Sequence, residues 1–395
     1  MKELVINSTT QHTLLLFVPL AIAYLLRIGK LRGSSILGGL IGGILLGPMI
    51  FGSLAPSYWE GIFQGGKQAH QQVLQLEQQQ KSAMNQAIEV GGSEPLILQL
   101  RADQQYELDQ KITLWKNQQW KDQRTLRNYA LLLIFVVLFS GAMRSKSTGK
   151  SDFGTSLSVG VWAAILPGGV IAVLSHYWWD TSITQSIGMG ACLAVGPWTL
   201  TRWEQQAADN AEVGGAALML RCGFVAWIVA SAAALYCGWM VQGVMALVWL
   251  SPLLLLPVYW NVPKKHIPWL EWFADRAAIP SIIASAMVLI HPLEALKFWP
   301  ILLILLISAD GRWLGGFTGL RILGGRTTVD AMRTTMPLVD ASVSQLCLGV
   351  MLFGIGVLSQ ELTMSIIIGA LFIELTAPTR KKFALELQEA SFNCD

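Results

Sequence analysis

The chain has 395 residues, 53% hydrophobic and 13% charged, and 28 Lys and Arg against 25 Asp and Glu leave a net charge of +3. Soluble domains carry about 25% charged residues, so there are too few charges to cover the two or three soluble domains that this length would make. The small positive balance, with no run of five Lys or Arg, speaks against a nucleic-acid surface. Cys192, Cys222, Cys237, Cys347 and Cys394 show no CxxC spacing, and four of them lie in apolar stretches. The histidines (His12, His70, His176, His266 and His291) are scattered, so neither a disulfide scaffold nor a metal site is expected. A membrane protein is the class that fits.

Apolar runs able to cross ~30 Å of hydrocarbon fall at 13–29, 34–54, 128–143, 153–175, 183–201, 213–236, 240–259, 277–293, 298–322, 335–358 and 361–378. The expected fold is therefore all-α and polytopic, with about eleven transmembrane helices. Ala21-Ile22-Ala23 resembles a signal-peptide cleavage site, but only Lys2, offset by Glu3, precedes the first run. An uncleaved first helix is expected. One set of loops holds sixteen Lys and Arg, from Arg27, Lys30 and Arg32 through to Arg380, Lys381 and Lys382. The alternate short loops hold only Lys2 and Lys297. Because basic loops stay cytoplasmic, the N-terminus is expected outside and the C-terminus inside, as in a bacterial-type inner membrane. This divides the chain into two spans (1–55), an exported insert (56–127), the remaining membrane domain (128–378) and a short cytoplasmic tail (379–395).

The insert holds sixteen glutamines, eight basic and eight acidic residues, and no plausible span. Residues 67–90 read as a helix with a thin apolar stripe at Ala69, Val73, Leu76, Ala83, Ala87 and Val90, interrupted by Gln80. Gly91 to Pro95 supply a stop and a restart. Residues 96–127 resume as a helix with Leu108, Ile112 and Trp115 as contacts. An exported helical hairpin of coiled-coil character follows, ~35 to 50 Å long at 1.5 Å per residue. Two readings stand: an arm that docks a protein partner or an oligomer, or a solvated extension of two transmembrane helices.

Ser34 to Gly52 (SSILGGLIGGILLGPMIFG) resembles the second helix of monovalent cation:proton antiporters of the Kef-type sodium/hydrogen exchanger branch. Gly38, Gly39, Gly42 and Gly43 make a smooth packing face there. Further similar segments follow in order: Leu133 to Lys146, Val161 to Leu174 with Pro167, Met189 to Trp203 with Gly196-Pro197 at the place of a broken helix, Asp310 to Gly325, and Ser359 to Lys382. The likeness covers nearly all of the chain outside 56–127. It implies inverted repeats, two broken helices crossing near the bilayer midplane, a panel used for homodimerisation, and exchange of a monovalent cation against a proton.

Such exchange needs a mid-membrane aspartate for which cation and proton compete. Laying Gly214 to Ser231 on the family helix that carries it puts Cys222-Gly223 in that place, and no Asp or Glu lies between Val213 and Leu250. Arg221 stands there instead. An arginine stays protonated at physiological pH, so it cannot exchange its proton. It reads either as a fixed cation that binds an anionic substrate or as a structural partner of Asp340, Asp310 or half-helix carbonyls. Arg312 aligns with the family's basic residue and reads either as part of the site or as a helix-end side chain snorkelling to the surface. Asp340, with Ser342, Ser344 and Gln345 nearby, is the leading remaining carboxylate. Asp310 reads either as an interface residue or as one lining the ion path, Glu374 in the last span either as snorkelling or as part of the path, and His291 beside Pro292 as an interface residue rather than a proton relay. No nucleophile–base set, phosphate loop or nucleotide motif is present. The expectation is a transporter rather than an enzyme, without cofactor or metal, surrounded by lipid. The rival class is a transport-inactive scaffold or sensor acting through the hairpin.

Overall fold

The computed structural model describes residues 8–89, 94–144, 153–195, 227–228, 231–233, 235–236, 268–322, 325, 327–339 and 342–392. The described residues are helical wherever they are regular, and five helices are long and apolar enough to cross a membrane: Thr9–Ile28, Ser34–Leu54, Arg124–Gly141, Leu157–Trp178 and Gln360–Arg380. This is the architecture of a helical membrane protein. Ile183–Ala194 and Ser342–Gly354 are apolar but shorter. The expected spans at 213–236 and 240–259 fall almost wholly outside the described residues. Large apolar side chains on the outer surface, among them Phe17, Leu25, Ile165 and Val173, give the bundle a lipid-compatible exterior.

Glycine sets the spacing of the first layer. Helix α1 (Ser8–Ile28) turns through Gly33, in the left-handed conformation at φ 66°, into α2 (Ser34–Leu46). On α2, Gly38 and Gly42 lie one turn apart and face α1, where a Cβ at Gly42 would stand 2.8 Å from the Cα of Pro19. Gly39 and Gly43 face a different neighbour, with a Cβ at Gly39 falling 2.6 Å from the carbonyl oxygen of Pro280. The smooth face read from the sequence is therefore two adjacent faces, each with its own helix. Close backbone approach of this kind supplies dispersion contacts in a bilayer that gives helices little hydrophobic drive to associate.

The hairpin consists of α3 (Lys67–Glu89) and α4 (Glu94–Asp122). After Gln123, α4 passes into α5 (Arg124–Arg144), the third long apolar helix. At 1.5 Å per residue the two hairpin helices are ~35 and ~44 Å long. Val73 is the buried residue of the α3 stripe, while Ala83 is exposed. Gln80 belongs to the seam rather than breaking it: its Nε2 donates to Gln104 O at 2.9 Å, and Gln104 Nε2 donates back to Gln80 O at 3.4 Å. His70 stacks on Trp115 with ring centroids 4.5 Å apart.

The root of the hairpin is tied to the bundle. Gly66 N–H donates to Asp122 Oδ2 at 2.7 Å, Gln123 Nε2 to Gln64 O at 3.0 Å, and the buried Gln11 on α1 reaches Ile62 O at 2.9 Å. Phe63 is buried beside Leu15, Leu46 and Leu126.

Helix α6 (Phe153–Trp178) and α7 (Ile183–Ala194) pack through Gly168 and Gly190, each lying against the other's carbonyl. A capping box starts α7: Ser182 Oγ accepts from Gln185 N–H while Gln185 Oε1 accepts from Ser182 N–H, both at 3.3 Å. A short helix (Pro268–Phe273) and a π turn (Ala274–Ala278) lead into α8 (Ile279–Met287). Helix α9 (Phe298–Leu306) continues through a second π turn (Ile307–Gly311) into α10 (Arg312–Ile322). Gly315 and Gly319 of α10 lie against the backbone of α6. Then come α11 (Thr328–Thr335), a 3-10 turn (Met336–Val339), α12 (Ser342–Gly354) and the long last helix α13 (Gln360–Phe392). Leu133, Ile134, Met189, Leu193, Leu348 and Met351 join α5, α7 and α12 in one apolar core.

Candidate functional site: a buried arginine at a half-helix end

Helix α7 has twelve residues and ends inside the bundle. The last four carbonyls of any helix lack intrahelical donors and carry the negative end of its dipole. Here Val195 N–H bonds to Ala191 O, which leaves the carbonyls of Cys192 and Leu193. Both are met by Arg312. Its Nε donates to Leu193 O at 2.9 Å and its Nη2 to Cys192 O at 3.4 Å. Nη2 also donates to Gln345 Oε1 at 3.1 Å, and Gln345 Nε2 donates to Ser308 Oγ at 3.4 Å.

Arg312 is 1% exposed, and Gln345 and Ser308 are fully buried. The snorkelling reading of Arg312 therefore fails, since the guanidinium points into the bundle. A planar guanidinium reaches two carbonyls and an amide together, which a lysine ammonium would do poorly. Ser308, within the π turn Ile307–Gly311, and Arg312, which follows that turn, both meet Gln345. On α13, Gly369 lies beside the cluster and packs tightly on α9, where a Cβ would stand 2.9 Å from Ile304 Cγ2.

A carboxylate lies at the start of the same helix. Ser342, the first residue of α12, donates through Oγ to Glu374 Oε1 at 3.0 Å. An acid beside a helix N-terminus is favoured by the dipole. Gly33, in the turn between α1 and α2, packs near the Cβ of Glu374. The last-span glutamate thus has a hydrogen-bond partner on α12.

Of the residues singled out in the sequence, Arg312 stands at the centre of the cluster. Asp310, two residues earlier, is exposed and makes no hydrogen bond or ion pair among the described residues. Arg221, Cys222, Gly223, Gly196, Pro197 and Asp340 lie outside the described residues. Gln345, read as a polar neighbour of Asp340, is instead the side-chain acceptor for Arg312. Ser308 was missed, although its i, i+4 relation to Arg312 in an apolar run was a usable signal. Among the described residues, no three His, Cys, Asp or Glu side chains stand together as metal ligands. Comparison of the chain with protein-family models and with curated proteins finds no match.

Proposed function

We propose that the chain is a membrane transporter of the sodium/hydrogen exchanger type, exchanging a monovalent cation for a proton, with Arg312 as a fixed counter-charge. The observation that carries this reading is α7: an apolar helix too short to cross ~30 Å, ending inside the bundle on a buried polar cluster. Half-helix carbonyl ends at membrane depth are what broken-helix transporters use to hold a cation. In this chain Arg312 supplies that positive charge permanently. The full arrangement has about eleven spans in two inverted repeats, a homodimer, and the hairpin on the extracytoplasmic side of a bacterial-type inner membrane. Since arginine does not give up its proton, the exchanging group is a carboxylate. Glu374, held by Ser342 at the start of α12, supports that role, and Asp340 is the further candidate that the sequence offers.

Purified protein in liposomes with an internal pH dye tests this. Addition of Na⁺, K⁺ or Li⁺ between about pH 6 and 9 is expected to move protons, and Glu374→Gln to slow that movement at least tenfold. No proton movement with any of the three ions would exclude exchange. It would favour the second reading, a membrane scaffold presenting the hairpin, which draws its support from the hydrogen bonds that close the hairpin's root and the one that joins Ile62 to Gln11 on α1.

A further inference from the structure

Where the hairpin enters the bundle, a cavity of about 500 Å³ opens between α5, α8 and α12. Its depth is apolar, lined by Leu131, Ile134, Leu289 and Met351. Its mouth is basic: Lys121, Arg124 and Arg127 follow one another at intervals of three, so they share one stripe of the helix. No Asp or Glu lines it. Like charges at this spacing repel, and none of the three forms an ion pair among the described residues. The charged group acting most strongly on Arg127 is Arg124, of the same sign.

Arg127 is the best defined of the three. Its guanidinium lies 3.6 Å from the centre of the Trp120 ring, and its Nη2 donates to Trp120 O at 2.7 Å. Its stem packs on Gly354. Its Nη1 is shielded from solvent and has no hydrogen-bond partner among the described residues. Capping of α12 does not account for it. Three of the last four carbonyls of that helix are already taken by backbone donors, Ile355 N–H to Met351 O, Gly356 N–H to Phe353 O and Val357 N–H to Leu352 O, with Gly356 in the left-handed conformation at φ 76°. A shielded guanidinium nitrogen with no acceptor is costly. The Arg127 side chain lines a cavity that carries three cations, the polar Asn128 and Ser285, and a set of apolar side chains.

We infer that this cavity binds an anionic phospholipid, with the phosphate on Arg127 and Arg124 and an acyl chain against Leu131, Ile134 and Met351. The volume lies within the ~300–1,000 Å³ of ordinary ligand pockets. The position matches too: the basic stripe ends where the apolar part of α5 begins, which is headgroup level for a helix entering a bilayer. The lipid supplies the negative charge that the stripe lacks and joins the hairpin root to α12.

The test uses the full chain in dodecyl maltoside. Phosphatidylglycerol, phosphatidylcholine with the same acyl chains, and inorganic phosphate are each titrated, with native mass spectrometry counting retained lipid and tryptophan fluorescence following Tm. Phosphatidylglycerol is expected to be retained with one molecule per chain and to raise Tm, with phosphatidylcholine and phosphate having little effect. Arg124→Gln, at an exposed site that keeps the fold, is expected to weaken phosphatidylglycerol retention several-fold. Arg127→Gln is expected to weaken it at least tenfold, and Arg127→Lys to restore most of it. Equal retention of the two lipids, a phosphate shift equal to that of phosphatidylglycerol, or retention unaffected by both glutamine variants would each overturn the inference.

Discussion

Arg312→Met keeps most of the length of the side chain while removing every donor from the α7 end. At least three buried acceptors lose their partner: Leu193 O, Cys192 O and Gln345 Oε1. A hydrogen bond from a charged donor contributes about 1.5–3 kcal/mol, and an acceptor left unpaired in the interior costs about 1–3 kcal/mol. Against this stands the relief of no longer burying a guanidinium, itself several kcal/mol. The balance is a destabilisation of about 2–4 kcal/mol, which in a chain of this size corresponds to a fall in Tm of roughly 2–5 °C. Intrinsic fluorescence melts of purified wild type and variant in the same detergent measure it. Arg312→Lys is expected to fall between the two, because an ammonium does not match the two-carbonyl geometry. The difference between wild type and Arg312→Met is also expected to be flat from about pH 6 to 9, where the guanidinium stays charged. A methionine variant that melts with or above wild type would refute the reasoning, because the arginine would then be a net burden that bonding to α7 does not offset.

Other expectations follow from packing and connectivity. Gly43→Leu drives a side chain into Met287 and Ala284, at a cost of about 1–3 kcal/mol or more; size-exclusion chromatography should show a marked loss of monodisperse protein. Gln80→Leu removes the side-chain donor to the Gln104 carbonyl, while the carbonyl of residue 80 still accepts from Gln104 Nε2, and should loosen the hairpin by about 1 kcal/mol, read as faster limited proteolysis within 67–122. Removing 60–125 takes away Phe63 and the Gly66–Asp122 link and should lower Tm, whereas a shorter excision of 75–112, closed by a glycine linker, should leave Tm near wild type. If the chain carries an anionic substrate on Arg221, Arg221→Ala abolishes uptake with the fold intact, and unchanged uptake removes that idea.

The parts of the fold that were legible in the sequence are those encoded in side chains along one helix. Glycines spaced by four announced close packing on α2, and Pro95 with the preceding glycines marked where the hairpin helices divide. Gln80 was misread because its value depends on a partner on another helix: an isolated glutamine breaks an apolar stripe, while two facing ones close a pair of amide bonds. Arg312 was legible as a charge in an apolar segment but not as a buried one. Its main partners are backbone carbonyls of Cys192 and Leu193, which leave no trace in residue identity. The π turns at Ala274–Ala278 and Ile307–Gly311 were equally invisible, since Pro280 just after the first and Gly311 at the end of the second are as compatible with a plain helix start or packing contact.

The passage from α4 to α5 is interrupted only at Gln123, and the ladder continues across it: Gln123 N–H bonds to Gln119 O and Arg127 N–H to Gln123 O. From Glu94 to Arg144 the chain is therefore one stiff rod, about 75 Å long at 1.5 Å per residue. Its outer half stands clear of the bundle, and its inner half presses Ile134 and Leu138 into the same core as Met189 and Leu193, the latter carrying one of the carbonyls that Arg312 holds. A sideways push on the hairpin is thus delivered as a tilt of α5, with the clasp at Gln11, Gly66 and Asp122 as the fulcrum. Whatever restrains the hairpin also restrains the layer beneath the buried arginine, without touching it.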